Sequence, residues 1–263
     1  MILFWELIKL SFQRQVTYRA ATLAGLATNF FFGLLRAALL VALYATRQEV
    51  DGISIQGAIT YTGVSQASIA YLSLFSWYEI MRSVYTGHIG SDLLKPMNYF
   101  SFWMAQDLGR AVANLILRGL PIMAFYALVF RITFPDTAGQ WLALASSLLL
   151  AWMVSFAWRF LVNLSAFWVP NAVGIGRLAF TLSWFLSGFL MPLRFMPEWF
   201  TRLCYLTPFP HMVNTIIEVY LGLPSGPEIY QALLNQLGWF LILALAGHLL
   251  LQAGVRRLVI LGG

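Results

Sequence analysis

Long stretches with almost no charge constrain this chain more than any other feature of its sequence. The first of them, residues 20–46, contains a single charged side chain, Arg36. An α-helix rises 1.5 Å per residue, so about 20 such residues cross the hydrocarbon core of a bilayer. Composition agrees, because 60% of the residues are hydrophobic and 10% are charged, whereas about 25% of a soluble domain is charged. The sequence therefore predicts an integral membrane protein.

Six segments are long and apolar enough to be predicted as membrane-crossing helices. The expected fold is thus all-α and polytopic, with one transmembrane domain over residues 1–263. The fifth segment is the shortest: the uncharged run between Arg177 and Arg194 extends roughly 24 Å as a helix. We expect it to cross only part of the bilayer. The predicted spans are residues 20–46, 57–80, 108–130, 141–164, 178–193 and 229–255.

The distribution of basic residues predicts the orientation of the chain. If both termini are cytoplasmic, most lysine and arginine residues fall at the inner side, in agreement with the positive-inside rule. The net charge of +6 is then explained by cytoplasmic loops, and no nucleic-acid partner is expected. The residues predicted at the inner side are Lys9, Arg14, Arg19, Arg82, Lys95, Arg110, Arg159, Arg177, Arg256 and Arg257; Arg47, Arg131, Arg194 and Arg202 are predicted outside.

Residues 1–19 predict a helix that lies along the inner leaflet. Phe4, Ile8, Phe12 and Val16 recur every four residues and would share an apolar face, while polar residues such as Lys9 occupy the opposite face. This pattern is typical of an interfacial amphipathic helix near anionic head groups. A cytoplasmic extension of the first span is the alternative.

Four polar residues in or beside the predicted spans are candidates for a transport path: Asn29, Arg36, Glu79 and Arg118. A charge at membrane depth costs at least about 2.5–3.5 kcal/mol, so such residues normally have partners or face water. Glu79, near the inner end of the second span, is the expected partner of Arg118 or Arg110. A purely structural ion pair and a place along the path are both open.

The predicted cytoplasmic loop at residues 82–100, "RSVYTGHIGSDLLKPMNYF", separates the second span from the third. Its glycines permit tight turns, its proline stops a helix, and one acidic and one basic residue offer charge complementarity. Ile89, Leu93 and Leu94 are apolar side chains that would fill a groove in a partner; an ordinary interfacial turn is the alternative. The candidate docking residues are Gly87, His88, Ile89, Gly90, Asp92, Leu93, Leu94, Lys95 and Pro96.

The stretch that follows the fifth span stays apolar although prolines interrupt it repeatedly. Prolines allow only brief helices, and apolar broken backbone is tolerated at membrane depth where protein shelters it. We therefore predict a re-entrant outer segment over residues 194–222, with a small extracellular cap as the alternative. Its marker residues are Ser187, Gly188, Pro192, Pro197, Trp199, Pro208 and Gly222.

Enzymatic motifs are missing from the sequence. It contains neither a G-x-x-x-x-G-K-[ST] loop nor H-E-x-x-H nor G-x-S-x-G. Cys204 is the only cysteine, and the three histidines are far apart. We expect no catalytic residue, no metal and no cofactor in this chain.

The order of several short motifs resembles that of permeases in the ATP-binding-cassette type-2 exporter family. The resemblance covers nearly the whole chain. Within the family, the chain is similar to the branch whose permeases often occur as unlike pairs. The motifs are "TGHIGSDLLKP", Ser187-Gly188, Pro192, Pro197-Glu198-Trp199, Leu206-Thr207-Pro208 and Leu221-Gly222.

The resemblance implies a non-catalytic half-transporter in the cell membrane of a prokaryote. A second permease, identical or related, would complete the path, and a separate ATPase would bind ATP and Mg²⁺ and dock on the loop at residues 82–100. An intramembrane enzyme and a secondary transporter that works without an ATPase are the alternatives. The sequence shows no paired acid and base or metal-binding constellation, which disfavours an intramembrane enzyme. It also shows no convincing internal repeat, which disfavours a secondary transporter.

Overall fold

The computed structural model describes residues 2–44, 47–169 and 171–258, and its regular structure is almost entirely helical. Four helical stretches within these ranges are long and apolar enough to cross a membrane: Arg19–Tyr44, Tyr99–Val129, Ala138–Phe167 and Pro227–Val255. They coincide with the first, third, fourth and sixth predicted spans. Residues 45 and 46, which the first prediction included, lie outside the described residues.

The helices are α1 (Ile2–Thr17), α2 (Arg19–Tyr44), α3 (Ile55–Leu72), α4 (Glu79–Tyr85), α5 (Ile89–Leu93), α6 (Tyr99–Asn114), α7 (Leu120–Val129), α8 (Ala138–Asn163), α9 (Val173–Leu186), α10 (Glu198–Tyr205), α11 (Asn214–Tyr220) and α12 (Pro227–Val255). Two strands, β1 (Glu49–Val50) and β2 (Ile53–Ser54), form an antiparallel hairpin before α3. A π-helical turn, Leu115–Gly119, joins α6 to α7.

Helix α1 packs lengthwise against α6. The Ser11 hydroxyl donates to the Gln106 carbonyl oxygen over 2.5 Å, and a Cβ at Gly109 would overlap the Ile8 carbonyl oxygen. No residue of α1 is buried, so the helix covers α6 while its other face stays open. The predicted amphipathic segment is thus helical, and Tyr18 separates it from α2.

The central helix α3 is shorter than the predicted span at residues 57–80. It ends at Leu72 because Ser73 adopts a left-handed conformation, with φ of 50°, which breaks the helix. Nearly every residue of α3 is buried by its neighbours. Its many polar side chains, such as Gln66, therefore face protein, which explains why α3 lacks the apolar character of an exposed span.

The third predicted span, residues 108–130, begins earlier than the sequence indicated. Helix α6 starts at Tyr99, where the Asn98 side chain caps it by accepting from the backbone N–H groups of Phe100 and Ser101. Helices α4 and α6 thus take up both ends of the predicted loop 82–100. Pro121 lacks an N–H and would clash with a regular helical turn, and the π turn just before it accommodates the ring.

Helix α8 forms the middle of the core, where it packs against α12 and α11. Its aromatic side chains, including Trp152, Phe156 and Phe160, are completely buried. A Cβ at Gly247 of α12 would lie 3.2 Å from the Phe160 ring, so the glycine lets the two helices approach closely.

The fifth predicted span, residues 178–193, is wrong at both ends. Helix α9 runs from Val173 to Leu186 and stops where Gly188 takes a φ of +77°. Beyond it, α10 and α11 contain 8 and 7 residues, which confirms that the prolines allow only brief helices. Helix α11 is almost wholly buried in the core, whereas Trp199 on α10 is 68% exposed.

Candidate functional site

The segment from Glu79 to Asn98, called here the inner elbow, is a turn with an internal charge pair. Gly87 has a φ of +78° and reverses the chain between α4 and α5. Asp92 accepts from the Ser83 hydroxyl over 2.7 Å and from the Lys95 ammonium over 2.6 Å. The Lys95 ammonium also lies 3.9 Å from the centre of the Phe102 ring.

Three sequence expectations for the inner elbow need correction. Gly90 lies inside α5 and not at a left-handed turn. Asp92 and Lys95 neutralise each other, so they are not free charges for a partner. Ile89 is only 2% exposed, and Leu93 packs partly against the core.

Of the predicted apolar contact residues, Leu94 is the one that projects from the surface, with 86% exposure. Tyr85 is also exposed, and so are His88 and Pro96. The His88 ring accepts or donates a hydrogen bond of 2.7 Å with the Thr86 hydroxyl. These residues form an ordered, partly apolar patch on the inner elbow.

Helix α4 is fixed to α8 through Asn163. The Asn163 amide donates 2.8 Å hydrogen bonds to the carbonyl oxygens of Trp77 and Arg159, and its oxygen accepts from the Met81 N–H over 3.1 Å. The side chain is fully buried, so the elbow cannot shift without disturbing α8.

A buried ionic cluster adjoins this contact and was missed by sequence reasoning. The Asp107 carboxylate accepts two 2.8 Å hydrogen bonds from Arg159, and Arg110 also donates to it, over 2.8 Å from one of its nitrogens. Trp152 adds an indole hydrogen bond of 2.8 Å. Two sequence features could have revealed the cluster: the i, i+3 pair of Asp107 and Arg110, and the presence of Arg159 inside the fourth predicted span.

The four polar candidates do not form one site. Asn29 and Arg118 line a common cavity of about 420 Å³ between α2, α3 and α6. Glu79 lines a separate cavity of about 280 Å³ beside Arg110. The predicted pairing of Glu79 with an arginine is wrong, since Arg110 pairs with Asp107, and no salt bridge of Glu79 or Arg118 occurs among the described residues.

Arg36 serves a structural contact at the middle of α3. Its guanidinium donates to the Ser65 hydroxyl over 3.1 Å, to the Phe189 carbonyl oxygen, and to the Leu190 carbonyl oxygen over 3.1 Å. It also lies 4.5 Å from the centre of the Phe189 ring. Arg36 thus ties α2 and α3 to the segment after α9.

The marker residues of the outer segment lie at tight contacts. The Tyr61 hydroxyl donates to the Gly188 carbonyl oxygen and lies 3.0 Å from the Asn214 amide oxygen. A Cβ at Gly188 would meet both side chains at 2.8 Å. Gly222 has a φ of +68°, and Ser187 is fully buried. Pro192, Pro197 and Pro208 border the short helices on either side.

His211 is buried within this outer segment, between α10 and α11. Only 3% of its surface is exposed, and burial lowers the pKa of its imidazole to about 4. Its ring lies 5.8 Å from the Tyr205 ring. The side chain is therefore neutral near pH 7 and contributes packing rather than charge.

Comparison with known proteins gives one match. The model of a family described as "ABC-2 family transporter protein" matches residues 30–262. No curated protein and no solved structure matches the chain.

Proposed function

The chain belongs to the ABC-2 family of transporter proteins, and from that membership we propose that it is the permease subunit of an ATP-driven exporter. A separate ATPase would supply the energy and hold ATP and Mg²⁺, and a second permease, identical or related, would complete the translocation path. The chain itself performs no catalysis in this proposal. It resides as a multi-pass protein in the cell membrane of a prokaryote, with both termini in the cytoplasm.

The proposed architecture has six crossings. Helices α3 and α9 add two short crossings to the four long helices, and neighbouring helices shelter the polar side chains of α3. Helix α1 lies along the inner leaflet in this arrangement, because its apolar residues Ile2, Trp5 and Leu10 are exposed and available to lipid. Helices α10 and α11 form the re-entrant outer hairpin.

The observation that carries the proposal is the inner elbow. A protein that receives force from a partner needs a surface patch joined rigidly to its membrane core. Leu94 supplies an exposed apolar anchor, and Asn163 joins the same elbow to α8. Closure of a docked ATPase would thereby act on α8 rather than on a flexible loop.

The test is Leu94→Asp, which places a charge in the proposed interface without removing a core contact. We expect the purified permease to unfold at the wild-type temperature but to lose co-purification with its ATPase and at least tenfold in stimulation of ATP hydrolysis. Leu93→Asp is a weaker test, since Leu93 packs against the chain's own core.

Leu206→Asp is the matched control, because Leu206 is also strongly exposed but lies in the outer segment. It should leave ATPase stimulation unchanged. Normal stimulation by Leu94→Asp would contradict docking at this patch. Transport or substrate turnover by the reconstituted chain without any ATPase would overturn the permease proposal itself and favour a secondary transporter or an intramembrane enzyme.

A further inference from the structure

The cavity that Asn29 and Arg118 share, called here the donor cavity, has an unusual chemical balance. None of the described residues that line it carries a carboxylate. Two arginines and two asparagines are among the lining residues. The polar residues of this kind are Asn29, Arg110, Asn114 and Arg118. Because Arg110 already pairs with Asp107, Arg118 is the lining cation without a carboxylate partner among the described residues around this space of about 420 Å³.

Two donors in this cavity have no partner within the described part of the chain. The Asn29 amide nitrogen and the Arg118 Nε are both buried and form no hydrogen bond. Asn29 as a whole is only 6% exposed. A buried donor without an acceptor destabilises a fold, so the arrangement is completed by a ligand that accepts hydrogen bonds.

Arg118 differs from the other buried arginines of the protein. Arg110 and Arg159 share the carboxylate of Asp107, and Arg36 donates to carbonyl oxygens. Arg118 has no hydrogen-bonded or ionic partner among the described residues. An arginine at membrane depth is expensive unless its charge is compensated, so the missing acceptor is best supplied by an anion.

A glycine of α2 positions the Arg118 guanidinium at this cavity. A Cβ at Gly25 would overlap the Arg118 guanidinium, so glycine is what allows the guanidinium to lie against the helix. Thr28 and Phe75, at the rim of the cavity, are exposed. Gly25 and Asn29 lie roughly 9 and 15 Å along α2 from Arg19, which is a depth that a lipid head group and the first part of its chain can reach.

We propose that the donor cavity binds the phosphate group of an anionic amphiphile that enters it sideways from the inner leaflet. Arg118 pairs with the phosphate oxygens in the bidentate manner that a guanidinium allows, and the Asn29 amide donates to a further oxygen. The inference uses the proposed function only for the orientation of α2. Binding itself needs no ATPase.

The experiment measures lipid retention by the purified full-length chain. The protein is exchanged into mixed detergent with phosphatidylglycerol or phosphatidylcholine, and bound lipid is counted by native mass spectrometry. Wild type should retain phosphatidylglycerol preferentially, and Arg118→Gln should weaken that binding about tenfold or more, because a charge-assisted hydrogen bond is lost. Arg118→Lys should retain part of the preference.

Two further variants make the result specific. Gly25→Leu keeps the arginine but displaces its guanidinium from α2, and it should weaken binding to a similar extent. Arg177→Gln removes an exposed arginine of α9 that does not line the cavity, and it should have no effect. Thermal unfolding of each variant checks that it is folded.

Equal retention of phosphatidylglycerol by wild type, Arg118→Gln and Gly25→Leu would overturn the proposal. Inorganic phosphate is tested alone as a second ligand. If it raised the unfolding temperature of wild type but not of Arg118→Gln, with no preference between the lipids, the anion site would stand and the membrane would be ruled out as its source. These measurements do not involve the Leu94 patch, so a negative result for lipid binding would not contradict the proposed ATPase docking.

Discussion

The C-terminal end of α3 and its middle are held by different chemistry. At its C-terminal end, the Arg110 guanidinium donates to the Ala70 carbonyl oxygen over 3.0 Å while it pairs with Asp107. In its middle, the Tyr61 hydroxyl donates to the Gly188 carbonyl oxygen, and the Ser65 hydroxyl accepts from the Arg36 guanidinium, which also donates to the Phe189 carbonyl oxygen. The C-terminal end is thus fixed by arginines that share a carboxylate, whereas the acceptors around the middle of α3 are all neutral oxygens.

The difference teaches where this protein uses charge. The last carbonyl groups of a helix lack intrahelical partners and carry partial negative charge, so a guanidinium satisfies them well. The same guanidinium needs Asp107, and Asp107 in turn holds Arg159 on α8. One carboxylate therefore joins three helices next to the inner elbow, whereas the Arg36 guanidinium joins α2 and α3 to the segment after α9 through neutral oxygens alone.

The largest effect should come from Asp107→Asn. This change leaves two buried arginines without a counter-charge, and breaking a buried pair in this way costs about 3–5 kcal/mol. We expect a large fall in the unfolding temperature of the purified protein. Asp136→Asn, at an exposed position, is the control; a variant of Asp107 as stable as that control would show that the cluster does not hold α3.

A smaller effect is expected from Gly188→Ala, at the contact with Tyr61 of α3. The left-handed backbone and the side chains at 2.8 Å both oppose a Cβ, so we expect a loss of about 2 kcal/mol in the free energy of unfolding. Gly226→Ala has a positive φ but open space around it. Similar losses for the two variants would mean that backbone strain alone, and not the Tyr61 contact, sets the effect.

The remaining effect depends on pH and concerns His211. The unfolded chain takes up a proton as the pH falls through about 6.5, but the folded His211 does so only near its lowered pKa of about 4. The unfolded state therefore binds more protons in that window, and stability falls by up to about 1.4 kcal/mol for each pH unit below 6.5. The surrounding cavity is also lined by Arg194, Tyr205, Glu218 and Glu228.

Comparing wild type with His211→Gln isolates this contribution. Thermal unfolding between pH 7 and pH 5 should show a steeper loss for wild type than for the variant. Parallel curves would mean that His211 is accessible to protons in the folded state, and that the outer segment is looser than its burial indicates.

Sequence alone predicted the long helices well and the contacts between them poorly. Helices α2, α8 and α12 follow from uninterrupted apolar runs, since membrane depth imposes their length. Helix α3 was extended too far because its end depends on one left-handed serine, Ser73, a conformation that its sequence does not signal. The brevity of α10 and α11 was predicted correctly because proline acts locally.

The candidate site was less predictable because its decisive contacts are distant along the chain. Asp107 and Arg159 are 52 residues apart, and Glu79 seemed the natural partner for an arginine only because it lay near the same predicted membrane boundary. Burial was equally hard to infer: Ile89 and Leu94 look alike as apolar residues of one loop, but one is enclosed and the other projects. Only the packing of α4, α5 and α6 distinguishes them.

The π turn at Leu115–Gly119 has a geometric consequence for the whole long helix. One additional residue in a turn rotates everything that follows by about 100° relative to a regular helix. Below the turn Asp107 is directed at α8, and above it Tyr126 fits between Gly33 of α2 and Gly63 of α3. The continuous helix from α6 to α7 thereby has two separate packing faces. The five residues of the π turn, and not a loop, set the angle between these faces.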